Sequence, residues 1–208
     1  MIENIVFDLG GVIVPLNREA CNKAFEKIGF PDFNKILNDY VQEGFFLGYE
    51  KGEITTNEFR MMIRKGIDPA LLGKVSDKEI DAAMGAFLEK PGREKIELLL
   101  SLRKRYRVFL LSNTNPIAID VVKDYFELHG KRMEECFDAM FLSFEMGMAK
   151  PDIDIFEEMV KSGNMIPSKT LFIDDAPANV ETASALGIET LLFVPGTDLV
   201  SIVNERLK

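Results

Sequence analysis

The chain has 208 residues, 47% of them hydrophobic, which is enough for one domain with a full core, or one domain carrying a sizeable insertion, without disulfide or metal staples. A net charge of −9 argues against gripping a nucleic-acid backbone over a broad surface. A single histidine, His129, leaves a His-paired nucleophile or a multi-histidine metal centre almost nothing to work with, and two distant cysteines, Cys21 and Cys136, exclude a zinc knuckle and a C-x-x-C redox pair.

The N-terminus lacks a basic segment followed by an unbroken apolar run, and no stretch reaches membrane-spanning length; a soluble, cytoplasmic protein is expected. Residues 2–9 form a short apolar run closed by Gly10-Gly11, the pattern of a buried strand ending in a tight turn. No comparable strand follows until after residue 88. Helical pieces are expected instead at 19–28, 33–42, 57–65 and 77–88, split by Gly29-Phe30-Pro31, Gly52 and the 66–69 segment. Thr55-x-x-Glu58 has capping-box spacing and opens the third piece.

From Pro91 the rhythm changes to alternation. Helices are expected at 92–104, 117–128, 153–162, 179–186 and 199–207, and strands at 107–111, 139–142, 170–173 and 190–194. Apolar strands alternating with amphipathic helices indicate an α/β fold with a Rossmann-like parallel sheet covered on both faces. The helical block between the first strand and the rest reads as an inserted cap, giving a core of residues 1–16 and 90–208 and a cap of residues 17–89.

Ligands of an open parallel sheet bind at the carboxyl ends of its strands. The polar residues there are Asp8, then Ser112 and Asn113, then Asp174 and Asp175, with Lys150 following the short strand at 139–142. Singly, each has a structural reading: Asp8 as a turn former, Ser112-Asn113 as a loop or helix cap, Lys150 as an exposed loop lysine, and Asp174-Asp175-Ala176-Pro177 as a helix start. Together they bring three carboxylates, a cation and a hydroxyl to one edge.

This set resembles the haloacid dehalogenase superfamily over essentially the whole chain. Its four motifs are matched in order by Phe7-Asp8-Leu9-Gly10-Gly11-Val12, Leu110-Leu111-Ser112-Asn113, Lys150-Pro151-Asp152 and Phe172-Ile173-Asp174-Asp175. The helical insertion is similar to that superfamily's cap. The segment from Tyr49 through Glu50 to Phe59 is similar to one in the branch of bacterial sugar-1-phosphate phosphatases and the N-terminal phosphatase domain of epoxide hydrolases. The resemblance implies a phosphatase with Asp8 as nucleophile, forming an aspartyl-phosphate on a small phosphorylated metabolite. It implies Mg²⁺ held by Asp8, the backbone carbonyl of Gly10 and the fourth-motif pair. Asp175 is the favoured direct ligand, with Asp174 ligating, acting through water or orienting Lys150. Ser112, the Asn113 backbone and Lys150 would meet the phosphoryl oxygens, and Lys150 with the metal offsets the repulsion between carboxylate and phosphate.

One position departs from the pattern. Phosphatases of this superfamily carry a second Asp two residues after the nucleophile, which protonates the leaving oxygen and later deprotonates water; here that residue is Gly10. A positioned general acid contributes about 10²–10⁴-fold. Its loss points to a slow enzyme, to a protein that only binds phosphate in a regulatory role, or to a substrate whose leaving group needs less protonation, such as a sugar 1-phosphate. The last is favoured, because the branch includes phosphatases that also lack the second Asp. A 2-haloacid dehalogenase shares the resemblance but needs no metal, and Asp174-Asp175 argues against it. The aromatic group Phe45, Phe46 and Tyr49 reads as the cap's own core in preference to a substrate wall.

Overall fold

The computed structural model describes residues 1–31, 33 and 44–208. The chain opens with strand β1 (Asn4–Phe7), followed by helices α1 (Arg18–Lys27), α2 (Gly44–Glu50), α3 (Thr56–Lys65) and α4 (Asp77–Gly85). Alternation then begins: α5 (Arg93–Leu102), β2 (Arg107–Ser112), α6 (Pro116–Glu127), β3 (Ala139–Leu142), α7 (Ser143–Met146), α8 (Ile153–Ser162), β4 (Thr170–Asp174), α9 (Pro177–Ala185), β5 (Glu189–Leu192) and α10 (Leu199–Arg206). The helix expected at 33–42 lies outside the described residues apart from Phe33. Among the described residues no helix is long and apolar enough to cross a membrane.

The five strands make one parallel sheet in the order β3-β2-β1-β4-β5. After β1 the chain builds outward on one side through β2 and β3, then returns to the other side of β1 for β4 and β5. The crossover at β1 is the switch point where a doubly wound sheet opens a crevice at its carboxyl edge.

Alternation within each strand assigns its side chains to two layers. Ile5, Phe7, Val108, Leu110, Leu171 and Ile173 pack toward α5, α6 and α10. Val6, Phe109, Leu111 and Phe172 pack toward α8 and α9. A third apolar cluster lies apart from the sheet and is built from α1–α4: Phe25, Phe46, Tyr49, Phe59, Ile63, Ile80 and Met84, touching the rest of the molecule through Ile117 of α6. Phe46 and Tyr49 therefore belong to that cluster, and Tyr49 stacks on Phe59 at a centroid distance of 4.3 Å.

Local signals account for most of the boundaries. Thr55 and Glu58 close the expected capping box at α3, and Ser76 with Glu79 forms another at α4. Asn115 caps α6 with Pro116 in its first turn. The helix expected to run to residue 88 stops at Gly85, because the following residues pair with the chain entering α1. Asn17 N–H donates to the Phe87 carbonyl at 2.7 Å, Glu89 N–H donates to Pro15 at 2.9 Å, and Leu16 bridges antiparallel to Leu88. The two connectors thus run side by side as a two-stranded neck.

Candidate active site

Asp8 is the first residue beyond β1, and its N–H continues the ladder by donating to the Ile173 carbonyl at 2.8 Å. The chain then turns sharply: Gly11 N–H donates to Val14 at 2.9 Å and Val14 N–H to Leu9 at 2.8 Å. Gly11 has φ +77°, and a Cβ there would lie 2.2 Å from Asp175 Oδ2. Only glycine satisfies both the left-handed backbone and that approach, which lets the turn after β1 close onto the carboxylate beyond β4.

Lys150 is the hub of the site. Its ammonium group donates to Asp8 Oδ1 at 2.7 Å, to Asp174 Oδ2 at 2.7 Å and to the Leu111 carbonyl at 3.0 Å, using all three of its protons. The side chain is 1% exposed, so it is not the solvated loop lysine that the sequence alone also allowed. Its backbone is bracketed by the Asn113 amide: Lys150 N–H donates to Asn113 Oδ1, and Asn113 Nδ2 donates to the Lys150 carbonyl, both at 2.8 Å. This bracket occupies the Asn113 side chain. Ser112 is buried at the end of β2, and its hydroxyl donates to the Asn113 carbonyl at 3.3 Å.

The two acidic residues at the end of β4 differ in their surroundings. Asp174 is fully buried and accepts from Lys150, from the Ala176 N–H at 2.8 Å and from Asn179 Nδ2 at 3.0 Å on both oxygens. Asp175 is half-buried and lines the cleft together with Asp8, Gly10, Ser112, Asn113 and Lys150.

Asp8, Asp174 and Asp175 each offer an oxygen within 4.8 Å of the others. Three carboxylates face one ammonium group, so the cluster carries surplus negative charge in a low-dielectric pocket. The groups report that strain. Burial, with Asp174 and Asp175, raises the Asp8 carboxyl above its ordinary range despite the opposing Lys150. Burial and Asp174 push Asp175 up to about 6. Burial alone would lower Lys150, but Asp174 and Asp8 outweigh it and hold the ammonium group charged. An all-oxygen donor set with unbalanced charge fits a hard divalent cation that keeps part of its water shell.

The opposite wall of the cleft comes from the helices between β1 and α5. Phe46, Glu50, Met84 and Phe87 line it, with Leu16 and Leu88 from the neck. Glu50 is the charged member of this wall and is 5% exposed. Burial first, and Asp8 second, raise its carboxyl to about 8 against the pull of Lys150.

The sequence reading identified the residues gathered at the sheet edge: Asp8, Gly10, Ser112, Asn113, Lys150, Asp174 and Asp175. It missed the Asn113 bracket, the Asn179 amide behind Asp174, and Glu50. For Glu50 a signal existed, an acidic residue closing the otherwise uncharged segment Gly44-Phe45-Phe46-Leu47-Gly48-Tyr49.

Comparison with known proteins points the same way. The chain is 38% identical over 200 residues to a D-ribitol-5-phosphate phosphatase of Bacteroides thetaiotaomicron, covering 95% of each protein. A crystal structure of a family enzyme from that organism, in complex with magnesium and inorganic phosphate, superposes with a TM-score of 0.87 at 42% identity, over 95% of this chain and 97% of that one. A hydrolase of Porphyromonas gingivalis superposes with a TM-score of 0.91 at 40% identity, over 100% and 98% of the two chains. Residues 2–187 match the haloacid dehalogenase-like hydrolases, and the chain belongs to that family.

Proposed function

We propose that the protein is a Mg²⁺-dependent phosphatase of small phosphorylated sugars or sugar alcohols, with residues 1–16 and 90–208 as its catalytic core and 17–89 as a cap. The observation that carries this reading is the ion-paired set Asp8–Lys150–Asp174, with Asp175 beside it in the cleft. A site that only bound phosphate would be served by donors; a buried carboxylate facing the phosphate is a liability unless it reacts.

In this mechanism Asp8 attacks phosphorus in line with the ester oxygen, and the phosphoryl group passes to the Asp8 carboxylate. Ser112 and the Asn113 backbone donate hydrogen bonds to the phosphoryl oxygens, and Lys150 holds Asp8 in position while reducing its charge. Mg²⁺, held by Asp8, the Gly10 carbonyl, Asp175 and Asp174 directly or through water, supplies the positive charge that lets a carboxylate approach a phosphate dianion. Water then cleaves the aspartyl-phosphate, returning Asp8 and releasing phosphate. The hydrogen bonds that saturate Asp174 support an orienting role for it and the direct ligand role for Asp175.

Gly10 alone favours a sugar 1-phosphate, whose leaving oxygen needs little protonation. D-ribitol 5-phosphate, named for the relative, carries its phosphate on a primary carbon and has no anomeric centre, which shifts the weight toward terminal phosphates. The test is phosphate release with Mg²⁺ from D-ribitol 5-phosphate and from paired sugar 1- and 6-phosphates, with Asp8→Asn as control. Mg²⁺-dependent turnover that vanishes in the control is expected. Turnover that persists in Asp8→Asn would overturn the assignment of the nucleophile, and the substrate ranking decides between the leaving-group readings.

A further inference from the structure

A phosphatase with glycine at position 10 has no acid beside its nucleophile, yet an alkyl phosphate needs a proton on its departing oxygen. Glu50 sits across the same cleft from Asp8, Ser112, Lys150 and Asp175, at the end of α2. It is buried, and its Oε2 has no hydrogen-bond partner among the described residues. A buried carboxyl oxygen without a partner is costly, so its retention at a reaction cleft calls for a role that a ligand completes.

The backbone around Glu50 is fixed against the core. Two residues on, Gly52 adopts φ +68°, and a Cβ there would fall 2.2 Å from the Phe144 carbonyl at the start of α7. The corner Tyr49-Glu50-Lys51-Gly52 therefore abuts the sheet side of the molecule through a backbone contact that excludes any side chain. On the other side of Glu50, Tyr49 is locked by its stacking on Phe59 and by a 3.0 Å hydrogen bond between its hydroxyl and Thr56.

We infer that Glu50 is the general acid and base of the reaction, reaching the site from the cap and performing the work for which Gly10 has no side chain. The inference rests on the phosphatase reading above. In the first step the Asp8 oxygen forms its bond to phosphorus as the bond to the ester oxygen breaks. The departing electron pair takes the proton of the Glu50 carboxyl, releasing the alcohol. In the second step the Glu50 carboxylate takes a proton from water as the water oxygen bonds to phosphorus. The bond from phosphorus to Asp8 breaks, and both carboxyl groups return to their starting states. The acid form needed at the outset is the one its surroundings favour: burial and Asp8 raise the group to about 8, against Lys150.

Leaving-group dependence separates this role from one of binding substrate hydroxyls. With the full chain and saturating Mg²⁺, Glu50→Gln is expected to lower turnover of D-ribitol 5-phosphate by about 10²-fold or more. First-turnover release of nitrophenolate from p-nitrophenyl phosphate, which needs no acid, falls by less than about tenfold; a burst follows as phosphorylated Asp8 waits for deprotonated water. A second variant guards against simple misfolding: adding Gly10→Asp to Glu50→Gln restores the conventional acid and recovers alkyl phosphatase activity by about tenfold or more. The backbone does not oppose the change, since the nearest neighbours of a Cβ at Gly10 are atoms of the flexible Leu16 side chain, at 3.4 Å or more. Equal losses on both substrates in Glu50→Gln, or an unchanged rate on the alkyl phosphate, would overturn the assignment. A wild-type chain inert on every phosphate ester would instead overturn the phosphatase reading beneath it.

Discussion

The two walls of the cleft are built on opposite plans. On the sheet side, Lys150 spends all three protons on fixed acceptors, Asp174 accepts on both oxygens, and Asn113 holds the lysine backbone at two points. On the helical side the lining is Phe46, Met84 and Phe87, with one carboxyl group, that of Glu50, whose buried Oε2 is unpartnered among the described residues. Apart from the cation its surplus negative charge calls for, the first wall is held in place before a substrate arrives, which suits groups that must stabilise a transition state without reorganising. The second is apolar and unfinished, and a substrate's carbon chain and leaving oxygen would complete it. In the proposed mechanism the sheet side carries the phosphoryl chemistry, while selectivity and proton transfer fall to the helical side.

The comparison can be broken most severely at its hub. Lys150→Met keeps the length of the stem and removes the charge, leaving Asp8 and Asp174 buried beside each other without a counter-ion. Breaking a buried ion pair from one side costs about 3–5 kcal/mol, and chemical denaturation of the metal-free protein should show a loss of that order. Millimolar Mg²⁺ should recover part of it, because a divalent ion bound by the native state adds stability by mass action. A variant as stable as the parent without metal would mean that the three carboxylates share their protons in some other way.

A smaller effect sharpens the electrostatic side of the same comparison. Asp175, pushed up to about 6 by burial and Asp174, starts from an ordinary value of 3.8. Its pKa is raised on folding, so the native state binds this proton more tightly than the unfolded chain does. The stability contributed by Asp175 is therefore greatest at acid pH and declines as pH rises from about 4 through about 6. Metal binding must displace the same proton, so Mg²⁺ affinity runs the other way and strengthens through that range. Calorimetric titration should find binding about fourfold tighter at pH 7.5 than at pH 5.5 from this group alone, with Asp8 adding to the trend. Affinity independent of pH would remove Asp175 from the ligand set.

What the sequence disclosed follows the strength of its local signals. Strands β1, β2 and β4 are short β-branched or aromatic runs that end in polar residues, so both the sheet and its polar edge are legible. Asp8, Ser112, Asn113, Lys150, Asp174 and Asp175 all stand at strand ends or just beyond a strand in the sequence pattern itself. Helix α2 was not, because Gly44 and Gly48 depress its propensity and its aromatic residues carry no helical polar face. It forms by burying Phe46 and Tyr49 among residues distant in sequence. Glu50 was missed for the same reason. Its place in the same cleft as Asp8 depends on how the apolar cluster of α1–α4 packs against the sheet side, and no spacing along the chain records that. The Asn113 bracket is likewise a long-range match between two loops, invisible to a reading that saw only a strand end.

The mildest test concerns the paired glycines, which look equivalent in sequence and are not. Gly11 holds φ +77°, and its missing side chain is the space into which the Asp175 carboxylate fits. Gly10 lies outside the left-handed region, and an added Cβ would make ordinary contact with Leu16. Gly11→Ala should therefore cost about 1–3 kcal/mol and weaken Mg²⁺ binding by displacing Asp175. Gly10→Ala should leave stability within about 0.5 kcal/mol of the parent, or raise it slightly by restricting the unfolded chain. Thermal melts with and without Mg²⁺ distinguish the two, and a similar cost at both positions would contradict this account of the turn. The outcome bears on the proton as well. If the backbone at position 10 tolerates a side chain, its conformation does not account for the missing aspartate, and the explanation passes to the leaving group of the substrate or to the Glu50 carboxyl on the helical wall.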